Sequence, residues 1–158
     1  MKKLAFAILM CVTAMSVKAQ VLTSKTINKV YEEVTNKTDG DFAFNAEWTG
    51  NDITTMFVYK KDYSRKGMVI LKPHRKYEYS YAADGTLASR IAYHWIDGQD
   101  EWICAARHNY TLVGDTYYAE YSRYNHSTNS FELPVEQMVY QLIGDTPVTV
   151  PSILLAEK

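Results

Sequence analysis

The stretch "KYEYSYAADGTLASRIAYHW", residues 76–95, decides the fold class. Tyr77, Tyr79 and Tyr81 alternate with Glu78 and Ser80, a period of two that gives a strand one aromatic and one polar face. Ala83-Asp84-Gly85 fits a three-residue hairpin loop with a left-handed glycine. The chain then returns through Leu87, Ile91, Tyr93 and Trp95. This hairpin pairs Tyr81 with Leu87, Tyr79 with Ser89 and Tyr77 with Ile91, and sets Glu78 opposite Arg90. What covers the tyrosines is the functional question, since a core, a partner or a ligand would each do so.

Downstream the same period continues. A turn at "DGQD", residues 97–100, pairs Trp95 with Trp102, Tyr93 with Cys104 and Ile91 with Ala106. A tight Gly114-Asp115 turn pairs Leu112 with Tyr117, Tyr110 with Ala119 and His108 with Tyr121. The three registers agree on one aromatic face, running from Tyr77, Tyr79 and Tyr81 through Tyr93, Trp95 and Trp102 to His108, Tyr110 and Tyr121. The reverse face carries Glu78, Arg90, Arg107, Asn109 and Glu120. There Arg90 opposes Arg107, which is unfavourable unless the two glutamates lie close. A weak repeat of 29 residues relates Tyr81 to Tyr110, Gly85 to Gly114, Trp95 to Tyr124 and Trp102 to Phe131. Tyr124 is out of phase with Tyr121, so either a bulge intervenes or Tyr124 faces the other way.

Upstream, "DFAFNAEW" (41–48) and "ITTMFVYKK" (53–61) form a further hairpin, with Trp48 facing Ile53, Phe44 facing Phe57 and Phe42 facing Tyr59. A basic turn, "SRKG" (64–67), leads to the apolar strand "MVILK" (68–72). Helical spacing occurs in residues 23–34, where Ile27, Val30, Tyr31 and Val34 share a face and Ser24 is placed to cap the start. A last strand is expected within "VTVPSILLA" (148–156). The expected fold is all-β: an antiparallel up-and-down meander of about nine strands, closed or partly closed into a barrel, with a short N-terminal helix. An open curved sheet covered by the N-terminal segment or by a partner is the alternative.

Residues 1–19 read as a secretory signal peptide. Lys2 and Lys3 precede the apolar run "LAFAILMCVTAM" (4–15), and Val17 and Ala19 precede a cut before Gln20. Residues 20–158 then form a single secreted or periplasmic domain. Loss of Lys2, Lys3 and Lys18 takes the formal charge from −1 to −4. An acidic chain without a basic face is not suited to nucleic acid. The mature part has no apolar run long enough for a transmembrane helix. Cys104 is its one thiol, so no internal disulfide holds the fold.

The quoted hairpin, with "YYAEYSRYN" (117–125) and "FELPVEQMVYQL" (131–142), resembles a family of small secreted proteins of unknown function from Bacteroides-type bacteria. The resemblance covers about residues 74–150. Members typically carry Arg-Trp-Asn where this chain has Arg123-Tyr124-Asn125. It implies a secreted all-β protein and brings no catalytic residues.

No cofactor or metal motif occurs in the chain. Cys104 and His108 sit four apart on one strand, roughly 13 Å, too far for a nucleophile and its base. His94, His108 and His126 would hold a metal only if the fold brought them together, and His94 and His108 are expected on opposite faces, which argues against it. Asp84, Asp97, Asp100 and Asp115 all fall in turns, where Asp serves local hydrogen bonding. What remains is the aromatic face. As a site it would consist of Tyr77, Tyr79, Tyr93, Trp95, Trp102, His108 and Tyr121, holding a small apolar molecule or a glycan. The sequence therefore points to a non-enzymatic binding module, with a structural or protein-interaction role as the alternative.

Overall fold

The computed structural model describes residues 21–37, 40–143 and 146–150; the expected leader and its cleavage position lie outside them. One helix, α1 (Ser24–Thr35), precedes nine strands: β1 (Phe42–Thr49), β2 (Asp52–Tyr63), β3 (Val69–Tyr81), β4 (Leu87–Ile96), β5 (Glu101–Val113), β6 (Thr116–Asn125), β7 (Ser130–Phe131), β8 (Glu136–Ile143) and β9 (Thr146–Val150). All pair antiparallel in one sheet of order β1-β2-β3-β4-β5-β6-β8-β9, with β7 a short addition to β6. Among the described residues the path does not return on itself, so the sheet is not fully closed, with β1 and β9 at its ends. No described helix is long and apolar enough to cross a membrane.

Each of the first four hairpins contains a bulge. Thr54, His74, Ala88 and Ala105 are extra residues on β2, β3, β4 and β5 respectively. Because side chains alternate, each insertion reverses which face the rest of the strand presents relative to its neighbour. The pairs nearest the turns are as predicted: Trp48–Ile53, Tyr81–Leu87, Trp95–Trp102 and Tyr93–Cys104. Beyond the bulges the predicted pairs are one residue out. Phe44 lies opposite Val58 and Phe42 opposite Lys60, Tyr79 meets Arg90, Tyr77 meets Ala92, Glu78 meets Ile91, and Ile91 meets Arg107. The β5–β6 pairing has no bulge, and its predicted pairs are all present. That regularity answers the question of Tyr124: it faces the side opposite Tyr121.

The single aromatic face expected from the sequence is therefore two. One side carries Tyr77, Tyr79, Tyr81, Arg90, His108, Tyr110 and Tyr121; the other carries Phe57, Tyr59, Tyr93, Trp95, Trp102 and Cys104. Arg90 and Arg107 fall on opposite sides, which removes the like-charge conflict.

Helix α1 covers the first side. Thr23 is its N-cap, its Oγ1 accepting from Thr26 N at 3.3 Å. Ser24, expected to cap, instead is buried and donates its N–H to Gly85 O at 3.0 Å. Leu87 N donates to Leu22 O at 2.8 Å, and Thr23 forms a bridge with Thr86. At the other end Asn28 Nδ2 donates to Asn51 O at 2.7 Å, while Asn28 Oδ1 accepts from Ile53 N. Tyr31 meets Trp48 edge-on at 5.9 Å. The segment thus spans from the β3–β4 turn to the β1–β2 turn, over a core of Ile53, Met56, Val58 and Leu87. Ile53 and Leu87 are 0% and 1% exposed. Ile53→Ala or Leu87→Ala is expected to lower stability by about 2–5 kcal/mol, seen as an earlier urea midpoint at unchanged slope.

Candidate functional site

On the helix side two tyrosine hydroxyls are used within the protein. Tyr81 OH donates to Ile53 O at 2.7 Å, and Tyr79 OH meets Met56 Sδ at 4.0 Å. Burial raises the ionisation of both phenols well above the ordinary value, so they stay neutral. A cavity of about 50 Å³ lies between Ile27 and Val30 of the helix and Tyr77, Tyr79, Arg90 and Tyr110 of the sheet. It has room for a water or two and not for a sugar ring. Past the helix, His108 stacks on Tyr110 at 6.3 Å and packs against Tyr121 at 5.0 Å. Its Nδ1 lies 3.1 Å from Arg90 Nη2; the guanidinium can only donate, so the imidazole accepts and is neutral. Burial, then the Arg90 charge, pushes its pKa down to about 4.

The opposite side has no described helix over it. Trp95 and Trp102 meet edge-to-face at 5.1 Å and 68°. Phe57 extends the cluster, 6.2 Å from Trp102 and 6.4 Å from Tyr59. Beside them Lys76 Nζ donates to Glu78 Oε1 at 2.8 Å, Tyr93 OH donates to Glu78 Oε2 at 2.7 Å, and Lys76 lies 4.0 Å over the Tyr93 ring. Burial works to raise the Glu78 pKa, but the bonds from Lys76 and Tyr93 outweigh it and hold the carboxyl below its ordinary value. Glu78 is therefore a fixed anion and a poor proton carrier.

A second aromatic pair shares this side. Tyr124 and Phe131 meet at 5.1 Å and 75°, nearly the geometry of Trp95 and Trp102. Both pairs close hairpins, and both are members of the 29-residue repeat. The backbone keeps the repeat too. Gly85 and Gly114 have φ of 82° and 57°, and Asp100 and Asn129, again 29 apart, have φ of 51° and 50°. Asp and Asn are the non-glycine residues that tolerate this region. Arg107 lies 4.3 Å over the Phe131 ring, and its buried Nε has no hydrogen-bond partner among the described residues.

The seven residues predicted as one site are thus divided. Tyr77, Tyr79, His108 and Tyr121 are on the helix side; Tyr93, Trp95 and Trp102 are on the open side. Sequence reasoning missed Phe57, Lys76, Arg107, Tyr124 and Phe131; the repeat had marked the last two. Cys104 and His108 are on opposite faces, and burial raises the Cys104 thiol, so it is not an activated nucleophile. His94 and His108, expected apart, share the helix side because of the Ala105 bulge. No group of three metal-ligating side chains occurs among the described residues.

The model of DUF3836, a family of unknown function, matches residues 1–142, and the chain belongs to this family. Three solved structures are similar. A DUF3836 protein from Parabacteroides distasonis ATCC 8503 is 19% identical with a TM-score of 0.55, over 64% of this chain and 90% of that one. Another, from Bacteroides vulgatus ATCC 8482, is 18% identical with a TM-score of 0.55, over 70% and 99%. A protein of unknown function from Bacteroides fragilis NCTC 9343 is 21% identical with a TM-score of 0.54, over 76% and 95%. These likenesses support the fold. Comparison with curated proteins gives no match.

The His108 environment predicts a pH dependence. Between about 4 and 6.5 the unfolded chain takes up a proton that folded His108 does not, so stability is full above this window and falls as pH drops through it. His74 and His94, both lowered by burial first, add to the trend. The urea midpoint should fall between pH 6.5 and 4, with a shallower fall in His108→Gln.

Proposed function

We propose that this DUF3836 protein is a non-enzymatic, secreted or periplasmic binding module, and that its ligand is an oligosaccharide lying across the open face. The carrying observation is the pair of matching aromatic clusters, Trp95–Trp102 and Tyr124–Phe131, on that one face. They belong to the β4–β5 and β6–β7 hairpins, about two strand spacings apart, roughly 10 Å. Repeated aromatic pairs suit a ligand with repeated rings. Polar groups between them favour a sugar over a purely apolar molecule. Lys76 has donors beyond its bond to Glu78, and the Arg107 guanidinium over the Phe131 ring is a second cationic group beside the clusters. The small cavity under the helix argues against an enclosed ligand on the other side.

The interaction reading has its own support in the exposed apolar residues Tyr63 and Met68 to Leu71, at the far end of β2 and β3. They are at the same end of the sheet as the β4–β5 turn, where Asp97 acts on Lys72.

Calorimetric titration with a panel of neutral and uronic-acid oligosaccharides tests the proposal. Trp102→Ala, and separately Phe131→Ala, should weaken binding about tenfold or more, while Tyr121→Ala on the helix side should change it less than about twofold. A folded Trp102→Ala protein with unaltered affinity would remove the site.

A further inference from the structure

Strands β2 and β3 are longer than their neighbours. β1 pairs β2 only as far as Phe42–Lys60, apart from a last bond from Lys61 N to Asp41 O, and β4 pairs β3 only as far as Arg75–His94. Beyond these points the two strands run on together through Lys61–Leu71, Asp62–Ile70 and Tyr63–Val69 as a two-stranded ribbon. Its turn is well built. Ser64 Oγ accepts from Lys66 N and Met68 N, Ser64 N donates to Met68 O at 2.9 Å, Gly67 N donates to Ser64 O, and Gly67 takes a φ of 76°. The ribbon is preformed, and its shape does not depend on a partner.

Its composition joins exposed apolar side chains to a cluster of cations. Tyr63, Met68, Val69, Ile70 and Leu71 are all exposed, Tyr63 and Met68 by 67% and 62%. Residues 60–72 also hold Lys60, Lys61, Arg65, Lys66 and Lys72 against the single acid Asp62, a net of +4 in a chain of net −1. Lys72 pairs with Asp62. Alternation puts Tyr63, Val69 and Leu71 on one face of the ribbon and Ile70 on the other.

We infer that this ribbon docks on an anionic lipid bilayer, its apolar tip entering the headgroup boundary and its cations meeting lipid phosphates. Three features select that occupant. The positive charge, on an otherwise acidic protein, is complementary to an anionic surface. The apolar side chains project from both faces of the ribbon; a rigid partner covering one face leaves the other wet, whereas a fluid bilayer surrounds both. The overhang of about four residue pairs reaches roughly 13 Å, enough to pass the 5–10 Å depth at which interfacial segments sit. A second copy is disfavoured, because two-fold contact would bring two +4 ribbons together.

Flotation of residues 20–158, which lack the apolar leader, with vesicles of phosphatidylcholine containing increasing phosphatidylglycerol tests the inference. The protein should float with the anionic vesicles, less at high salt and weakly with phosphatidylcholine alone. Arg65→Glu/Lys66→Glu and Ile70→Ser/Leu71→Ser, both at exposed positions, should each lower partitioning about tenfold or more. Four results would overturn it: no flotation of the wild-type chain, flotation unchanged in both variants, a charge-only loss with Ile70→Ser/Leu71→Ser unaffected, or a wild-type dimer that Ile70→Ser/Leu71→Ser makes monomeric. The last would assign the ribbon to a second copy. Neither variant alters Trp102 or Phe131, so oligosaccharide titration of both, run beside flotation, lets the two proposals fail separately.

Discussion

The arrangement rests on four single-residue insertions. Thr54, His74, Ala88 and Ala105 each lengthen one strand relative to the partner before it, and each lies in one of the first four hairpins. A bulge sacrifices regular pairing at one position, bends its strand and strengthens the local right-handed twist. Four in succession repeat that bend and added twist from β2 to β5. They also distribute the aromatic residues. Without the Ala88 and Ala105 insertions, Tyr77, Tyr79, Tyr93, Trp95 and Trp102 would share one face; with them, two tyrosines go beneath the helix and three rings to the open side. The electrostatics follow the same steps. Arg90 gains His108 and the Tyr77 ring on one side, and Arg107 gains the Phe131 ring on the other, instead of the two cations meeting.

The N-terminal segment completes what the sheet cannot do for itself. An open sheet must cover an apolar face, and a helix of twelve residues is marginal in isolation. Its placement depends on bonds at both ends: Leu22 and Ser24 to the β3–β4 turn, Asn28 to the β1–β2 turn. Gly85 matters here twice. Its positive φ forms the turn, and a Cβ there would lie 3.7 Å from Ser24 Oγ, so the helix start sits directly against the loop. Local turn chemistry and the docking of a segment sixty residues upstream are thus one feature.

Much of this was legible in the sequence. The meander, its turns, the helix and the pairs next to each turn follow from period-two alternation and from Gly and Asp positions. The unbulged β5–β6 hairpin is read correctly along its length. The faces beyond each bulge were not legible, because Thr54, His74, Ala88 and Ala105 carry no signal of an insertion; none is glycine, and each fits a strand. The forced Arg90–Arg107 contact was the one sign that the extrapolated register was wrong. The site was half legible for the same reason. Alternation identified the rings but joined two surfaces into one, whereas the repeat had correctly grouped Trp95 and Trp102 with Tyr124 and Phe131.

An uncovered aromatic surface is ordinarily a hazard for a protein alone in water. Here the rings are partly shielded by the molecule's own cations. Lys76 lies over Tyr93 with its side chain only 17% exposed, its stem laid along apolar surface while its ammonium holds Glu78. Arg107 does the same over Phe131. Such contacts are worth about 0.5–1 kcal/mol where water reaches them, enough to occupy a ring face. The helix side is closed by packing and internal hydrogen bonds and is committed to stability. On the open side the covers are single side chains, Lys76 and Arg107, so the bulges separate the surface packed beneath the helix from one covered only by cations.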